Sequence, residues 1–325
     1  MPASDRTGGP DRAGGQTGSE PLSMHDLRGK AVVLIDFWTY SCVNCIRTLP
    51  HLKRWHDAYK DKGLMIVGVH TPEFEFEKNV ENVERAVREF GIEYPVVMDS
   101  DYQIWSLYSN NVWPRKFLID KEGHIVYDHA GEGGYRETEE AIQKTLLELD
   151  SKLKFPQIES DPSTMLGTGK VCLPVTPELY LGAMRGSTRL TMGGRRVWDY
   201  RGIWKIHPEF IEHERKSEGF EDCIILNFEA SEVNLVMEHR DGSTPLTTGR
   251  PATVRLELDG KRLRDIDVRE AKMYNLISPS DLEHDHGSTA LTTSGGKTLR
   301  GELKIYCRDE GLRAYAFTFG GCALT

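Results

Sequence analysis

The stretch DFWTYSCVNCIRTLP, Asp36 to Pro50, places Cys42 and Cys45 two residues apart, after an apolar run and before a helical pattern. A thiol attacks a disulfide only as its thiolate, and an unperturbed cysteine, with a pKa of about 8.5, is mostly protonated at neutral pH. At the start of a helix, unpaired backbone N–H groups and the helix dipole favour negative charge, which makes Cys42 the candidate nucleophile. Cys45 follows one turn later, on the same side of the first turn and close enough to bridge. The chemistry this supports is thiol–disulfide exchange. Cys42 attacks a substrate disulfide; Cys45 donates its S–H to that thiolate and then resolves the mixed disulfide. Asp36 ends the apolar run, where burial raises a carboxyl toward neutrality, and is the candidate acceptor for the Cys45 proton. The alternative is that it only orients the loop.

Two other chemistries compete. Thr39 precedes Cys42 by three positions, and with Arg115 as a polarising charge the group could act as a thiol peroxidase. Zinc would need two more soft ligands in a matching knuckle, and no second C-x-x-C exists. The His284–His286 run lies far along the chain. The expected redox centre is therefore the Cys42–Cys45 dithiol itself, with no metal and no organic cofactor.

The chain has 325 residues, room for two ordinary domains, with 38% hydrophobic and 28% charged residues, the profile of a globular protein. A net charge of −9 argues against a nucleic-acid partner, because phosphate binding needs clustered Lys and Arg. The longest apolar runs, AVVLI and LMIVGV, fall far short of the ~20 residues of a membrane helix. Residues 1–22 are rich in Gly, Ser, Pro and Asp without an apolar stretch, and read as a disordered arm with no secretory signal. A cytoplasmic location is the expectation, or an extracytoplasmic one if a leader or membrane module belongs ahead of this sequence. In the reducing cytosol, net reduction of disulfides is the favoured direction. Six cysteines are present, and Cys172, Cys223, Cys307 and Cys322 are too scattered for a disulfide framework.

Residues 23–150 alternate strand and helix: AVVLIDFW, then a helix carrying Ile46, Leu49, Leu52 and Tyr59 with Pro50 as a kink, then LMIVGVH. Next comes an amphipathic helix with Phe76, Val80, Val83, Val87 and Phe90 on one face, stopped by Gly91. YPVVMD and DYQIWSLY read as a short strand and a short helix, and RKFLID and HIVYDH as a hairpin. YRETEEAIQKTLLEL closes the unit as a helix. This order predicts an α/β domain with a central mixed sheet and helices on both faces. A polar linker is expected at 151–165. Residues 166–325 alternate strictly, as in TVRLELDG (Val254, Leu256, Leu258), GELKIYC (Leu303, Ile305, Cys307) and LRAYAFTFG (Tyr315, Phe317, Phe319), which predicts an all-β sandwich.

Together these residues resemble the thioredoxin fold in its TlpA-like, redoxin branch. DFW followed by the cysteine pair, Asp36 six residues before Cys42, Pro50 five after Cys45, and VWPRKFLID carry the resemblance. It implies a cis Pro114 facing the cysteines, with the backbone before it pairing with an extended substrate. Trp113 would then shape the substrate groove, with Trp38 and Tyr40 flanking it; core packing is the competing role, more so for Trp38. HTPEFEFEKN, VWPRKFLID and the trailing β-domain further resemble the soluble part of DipZ-type thiol–disulfide proteins. That resemblance implies a carbohydrate-binding-like, jelly-roll-like second domain. A sugar platform could come from Trp198, Tyr200 and Trp204, although aromatics in strands are more often core. Expected partners are protein disulfides, an upstream reductant, and a glycan or docking protein at the sandwich; the other alternative to exchange chemistry is a binding protein acting through that sandwich.

Overall fold

The computed structural model describes residues 23–158, 176–186, 191–192, 195–240, 250–278, 281, 290–293 and 296–320. The expected arm, the linker beyond Ile158, Cys172, Cys322 and the His284–His286 run lie outside these residues. The chain divides into two compact units, one built mainly from residues up to Glu159 and the other mainly from residues after Ser160.

The first unit is a five-stranded mixed sheet, and its centre is the most apolar strand of the sequence. β1 (Val32–Trp38) is buried at every position. It lies between β2 (Leu64–His70) and β4 (Arg115–Ile119), in the order β3-β2-β1-β4-β5, with β3 Val96–Met98 and β5 Ile125–Ala130 at the edges. β1, β2 and β3 run parallel, β4 runs antiparallel to β1, and β5 folds back on β4. Alternation along β1 sends Val33, Ile35 and Phe37 to one face. There they pack with Val67, Val69, Phe117 and Ile119. Leu34, Asp36 and Trp38 point to the other face.

Helices cover the sheet. α1 (Met24–Leu27) and α4 (Gln103–Leu107) contribute Leu27, Ile104 and Trp105 to the Phe37 face. α2 (Val43–Tyr59) and α5 (Tyr135–Leu149) meet where His51 stacks on Tyr135 at 3.5 Å. The buried Glu139 of α5 accepts from Arg54 (2.7 Å), Trp55 (3.0 Å) and Tyr59 (2.7 Å) of α2, which ties the two helices together. α3 begins later than its apolar spacing predicts. Phe76 falls in a 3-10 turn, Glu75–Lys78, and Asn79 caps Glu81 and Asn82, so the helix proper is Val80–Phe90. A side-chain oxygen that satisfies two free N–H groups outcompetes continuation of the apolar stripe. No described helix is long and apolar enough to cross a membrane.

The second unit holds two large antiparallel sheets, besides the small two-stranded pair of Thr191–Met192 with Arg195–Arg196. One orders Trp204–Ile206, Ile211–His213, Leu312–Gly320, Glu232–His239 and Lys272–Ile277. The other orders Lys261–Val268, Ala252–Leu258, Gly296–Cys307, Asp222–Ala230 and Trp198–Arg201. Side chains from both, including Val254, Leu256, Leu303, Ile305, Leu235 and Phe317, form one core, as in a sandwich. The expected face of Tyr315, Phe317 and Phe319 is broken. A register shift between Leu235 and Met237 turns Tyr315 off the core, and its hydroxyl donates to Glu238 instead.

Candidate active site

The parallel strands β1 and β2 end together, with Trp38 opposite His70. β4 runs the other way, with Arg115 opposite Phe37, so the cis Trp113–Pro114 peptide lies at that same end of the sheet. The loop from Thr39 to Cys42 leaves β1 there and enters α2. In open α/β sheets the crevice beyond the carboxyl ends of the strands is the usual ligand site.

Cys42 occupies the position just before α2, half-buried. Its carbonyl accepts the Ile46 N–H at 3.0 Å, and its Sγ accepts the Cys45 N–H at 3.3 Å. The sulfur thus stands where a capping oxygen usually stands, with an N–H aimed at it and the positive end of the helix dipole behind. That environment is complementary to a thiolate. Cys45, on the first turn, is 1% exposed. Both are thiols, as are Cys223 and Cys307. Burial pushes Cys223 up to about 11 and Cys307 up to about 12, so these two are inert core thiols.

Asp36 is buried on the face of β1 that α2 and α5 cover. Neither of its carboxylate oxygens has a hydrogen-bond partner among the described groups. Burial pushes its carboxyl up to about 7, against the pull of Lys116. The strand register sets that pull: Lys116 faces Asp36 across the β1–β4 ladder, fully buried, with its ammonium 5.6 Å from the Tyr135 ring. On the other flank the register partner is Gly68. A Cβ there would come within 3.0 Å of Trp38 Nε1 and 3.3 Å of Tyr94, so the glycine makes room for both rings. The Tyr94 hydroxyl and Trp38 Nε1 are buried and unpartnered as well. Burial, reinforced by Asp36, raises the Tyr94 hydroxyl well above its ordinary range.

Several expected roles change. Thr39 and His70 Nε2 share a hydrogen bond of 3.3 Å, and burial lowers His70 to about 3, so the imidazole is neutral. Arg115 points to the Phe37 face, opposite Asp36. It bonds Asp128 at 2.7 Å and lies over the Phe117 ring. It is therefore not aimed at Cys42, as the peroxidase reading needs. Trp38 and Tyr40 are 0% and 3% exposed, which makes them core residues rather than groove walls, while Trp113 remains half-buried. The sugar platform does not form: Trp198 and Trp204 are in the sandwich core and Tyr200 packs against it. The sequence reading missed Lys116, His70, Tyr94 and Asp99. Their signals are strand register and turn contacts, which a linear pattern does not display.

Residues 9–128 match the AhpC/TSA family and residues 191–320 match a thioredoxin-like C-terminal domain. The chain is 37% identical over 252 residues to the protein DipZ of Mycobacterium bovis, covering 73% of this chain and 35% of that protein. It thus spans about a third of the length of that relative. It is 32% identical over 123 residues to the thiol-disulfide oxidoreductase ResA of Bacillus cereus, covering 38% of this chain and 68% of ResA. A third relative, the thiol-disulfide oxidoreductase YkuV of Bacillus subtilis, is 28% identical over 129 residues, 40% of this chain and 86% of YkuV. With a cysteine pair opening a helix that follows β1, and a cis Trp113–Pro114 peptide just before β4, the chain belongs to the family of thioredoxin-like thiol–disulfide oxidoreductases.

Proposed function

We propose that this chain reduces protein disulfides through its Cys42–Cys45 dithiol. The observation that carries the reading is the Cys45 N–H donated to Cys42 Sγ at the first turn of α2. The Cys42 thiolate attacks one sulfur of a substrate disulfide. A mixed disulfide forms and the other substrate sulfur leaves as a thiolate. Cys45 loses its proton toward Asp36 and attacks Cys42 Sγ, which releases the second substrate thiol and leaves Cys42–Cys45 oxidised. Two electrons pass to the substrate, and an upstream dithiol must restore the pair. Reduction rather than oxidation is favoured because Val43 and Asn44, between the cysteines, add no cation to stabilise a thiolate further.

The test is trapping. A Cys45→Ser chain should hold its substrate as a mixed disulfide through Cys42, released by added dithiol, and Cys42→Ser should capture nothing. A reduction potential near the thioredoxin value of about −270 mV supports reduction, whereas one near about −120 mV assigns oxidation. Failure to trap any disulfide substrate, alongside fast consumption of hydrogen peroxide by the unaltered chain, would overturn the reading.

A further inference from the structure

The half-buried indole of Trp113, next to the cis bond, is held by a closed circuit of contacts that the exchange chemistry does not need. Its Nε1 donates to the Thr71 carbonyl at 3.0 Å, so the ring offers a neighbour only its apolar faces and edges. The ring of Trp105 lies against it, with centroids 4.3 Å apart and planes 38° off parallel. Trp105 meets Phe37 edge-on at 5.8 Å and Tyr102 at 6.2 Å. One buried carboxylate joins both ends of the circuit. Asp99 Oδ1 accepts the Ile104 N–H at 2.8 Å, and its Oδ2 accepts the Trp105 N–H at 2.8 Å and the Thr71 hydroxyl at 3.1 Å. Asp99 therefore fixes the backbone of α4 that carries Trp105 and the turn residue whose carbonyl holds Trp113. The Tyr102 hydroxyl, donating to the Pro72 carbonyl, adds a second tie between the same two segments.

A large indole with its only polar atom satisfied, locked from behind by a second indole, is a preformed apolar wall. Rigid aromatic surfaces of this kind bind apolar side chains at low entropic cost. It stands at the end of the sheet where the chain enters the cysteine loop. We propose that Trp105, positioned by Asp99, holds Trp113 as a specificity wall, so that the preferred substrates are extended protein disulfides with an aromatic or large apolar residue beside the attacked cysteine. The inference rests on the exchange reading above. Trp105 acts through Trp113 and is a positioning residue.

The test uses the full chain and two disulfide-linked peptides identical except for Phe or Ser next to each cysteine. The readout is the ratio of kcat/KM for the Phe peptide over the Ser peptide, measured within each variant so that changes in overall activity cancel. The unaltered chain should favour the Phe peptide roughly tenfold, the scale of one good aromatic contact, and should do so through KM rather than kcat. Trp113→Ala should bring the ratio to near one. Trp105→Leu should do the same although Trp113 is present, and Trp105→Phe should restore most of it. A ratio near one in the unaltered chain, or an undiminished ratio in Trp105→Leu, overturns the proposal. If Trp105→Leu does not fold, Trp113→Ala decides: a retained tenfold ratio there overturns it equally. Equal turnover of both peptides sinks this inference alone, whereas no turnover of either peptide or of a small aromatic disulfide sinks the exchange reading.

Discussion

Asp36 in the first unit and Asp222 in the second are each 1% exposed, yet their surroundings push them in opposite directions. Asp222 is saturated. Arg215 donates to both its oxygens at 2.7 and 2.5 Å, His213 Nε2 lies 2.9 Å away, and the Ile203 N–H donates at 3.2 Å. The Arg215 bonds hold its carboxyl well below the usual carboxylate range. Asp36 has no such bonds, and its one cationic neighbour across the ladder does not offset desolvation, so it sits at about 7. A buried acid that is fully bonded is a fixed part of the fold. One left unbonded keeps a proton that it can exchange at neutral pH, and that is what a group serving Cys45 requires. The cysteines repeat the contrast: Cys42 caps a helix and is half-exposed, whereas Cys307 is buried and bonds the Asp309 carbonyl.

The contrast can be broken experimentally, beginning with the largest effect. Cys42→Ser should lower disulfide reduction to the rate without enzyme, while Cys307→Ala should leave reduction intact; stopped-flow assays with a peptide disulfide read both. Asp222→Ala should cost roughly 2–3 kcal/mol of stability in denaturant unfolding. That is less than for a fully enclosed pair, because Arg215 is partly exposed. Asp36→Asn should slow release of a preformed mixed disulfide by roughly 10²-fold, the usual scale of one proton-transfer group.

The two acids should also tilt stability oppositely with pH. The Asp36 carboxyl is raised in the folded state, so its contribution is full below about pH 4 and is lost as pH rises through about 7. The Asp222 carboxyl is depressed, so its contribution is present at neutral pH and is lost as pH falls below about 4. Unfolding free energies from pH 3 to 8 should therefore lose the decline toward pH 7 in Asp36→Asn and the acid-side rise in Asp222→Ala. The smallest expected effect is that of Arg115→Ala: less than about twofold on exchange, because its guanidinium is committed to Asp128 on the far face of the sheet.

The strand, the cysteine pair and Asp36 were legible in the sequence because they follow one another at fixed spacing along one chain segment, whereas the cis Pro114 was expected only from the family resemblance. Lys116 was not, since its importance arises from facing Asp36 across two antiparallel strands eighty positions apart. Asp99 was hidden for the same reason: the Thr71 turn that it braces is distant in sequence. In the second unit the alternation of Val254, Leu256 and Leu258 survived intact. Tyr315 did not follow its neighbours, because a register shift breaks the period of two on which such readings depend.

The most direct measurement is the pH dependence of a single step, the Cys45-driven release of a peptide held in mixed disulfide with Cys42, from pH 5 to 9. With Asp36 present the rate should climb about tenfold per pH unit at first and level off near pH 7, where the carboxylate becomes the predominant form. In Asp36→Asn that bend should vanish. An identical bend in both chains would show that another group accepts the Cys45 proton, and would contradict the role given to this buried acid.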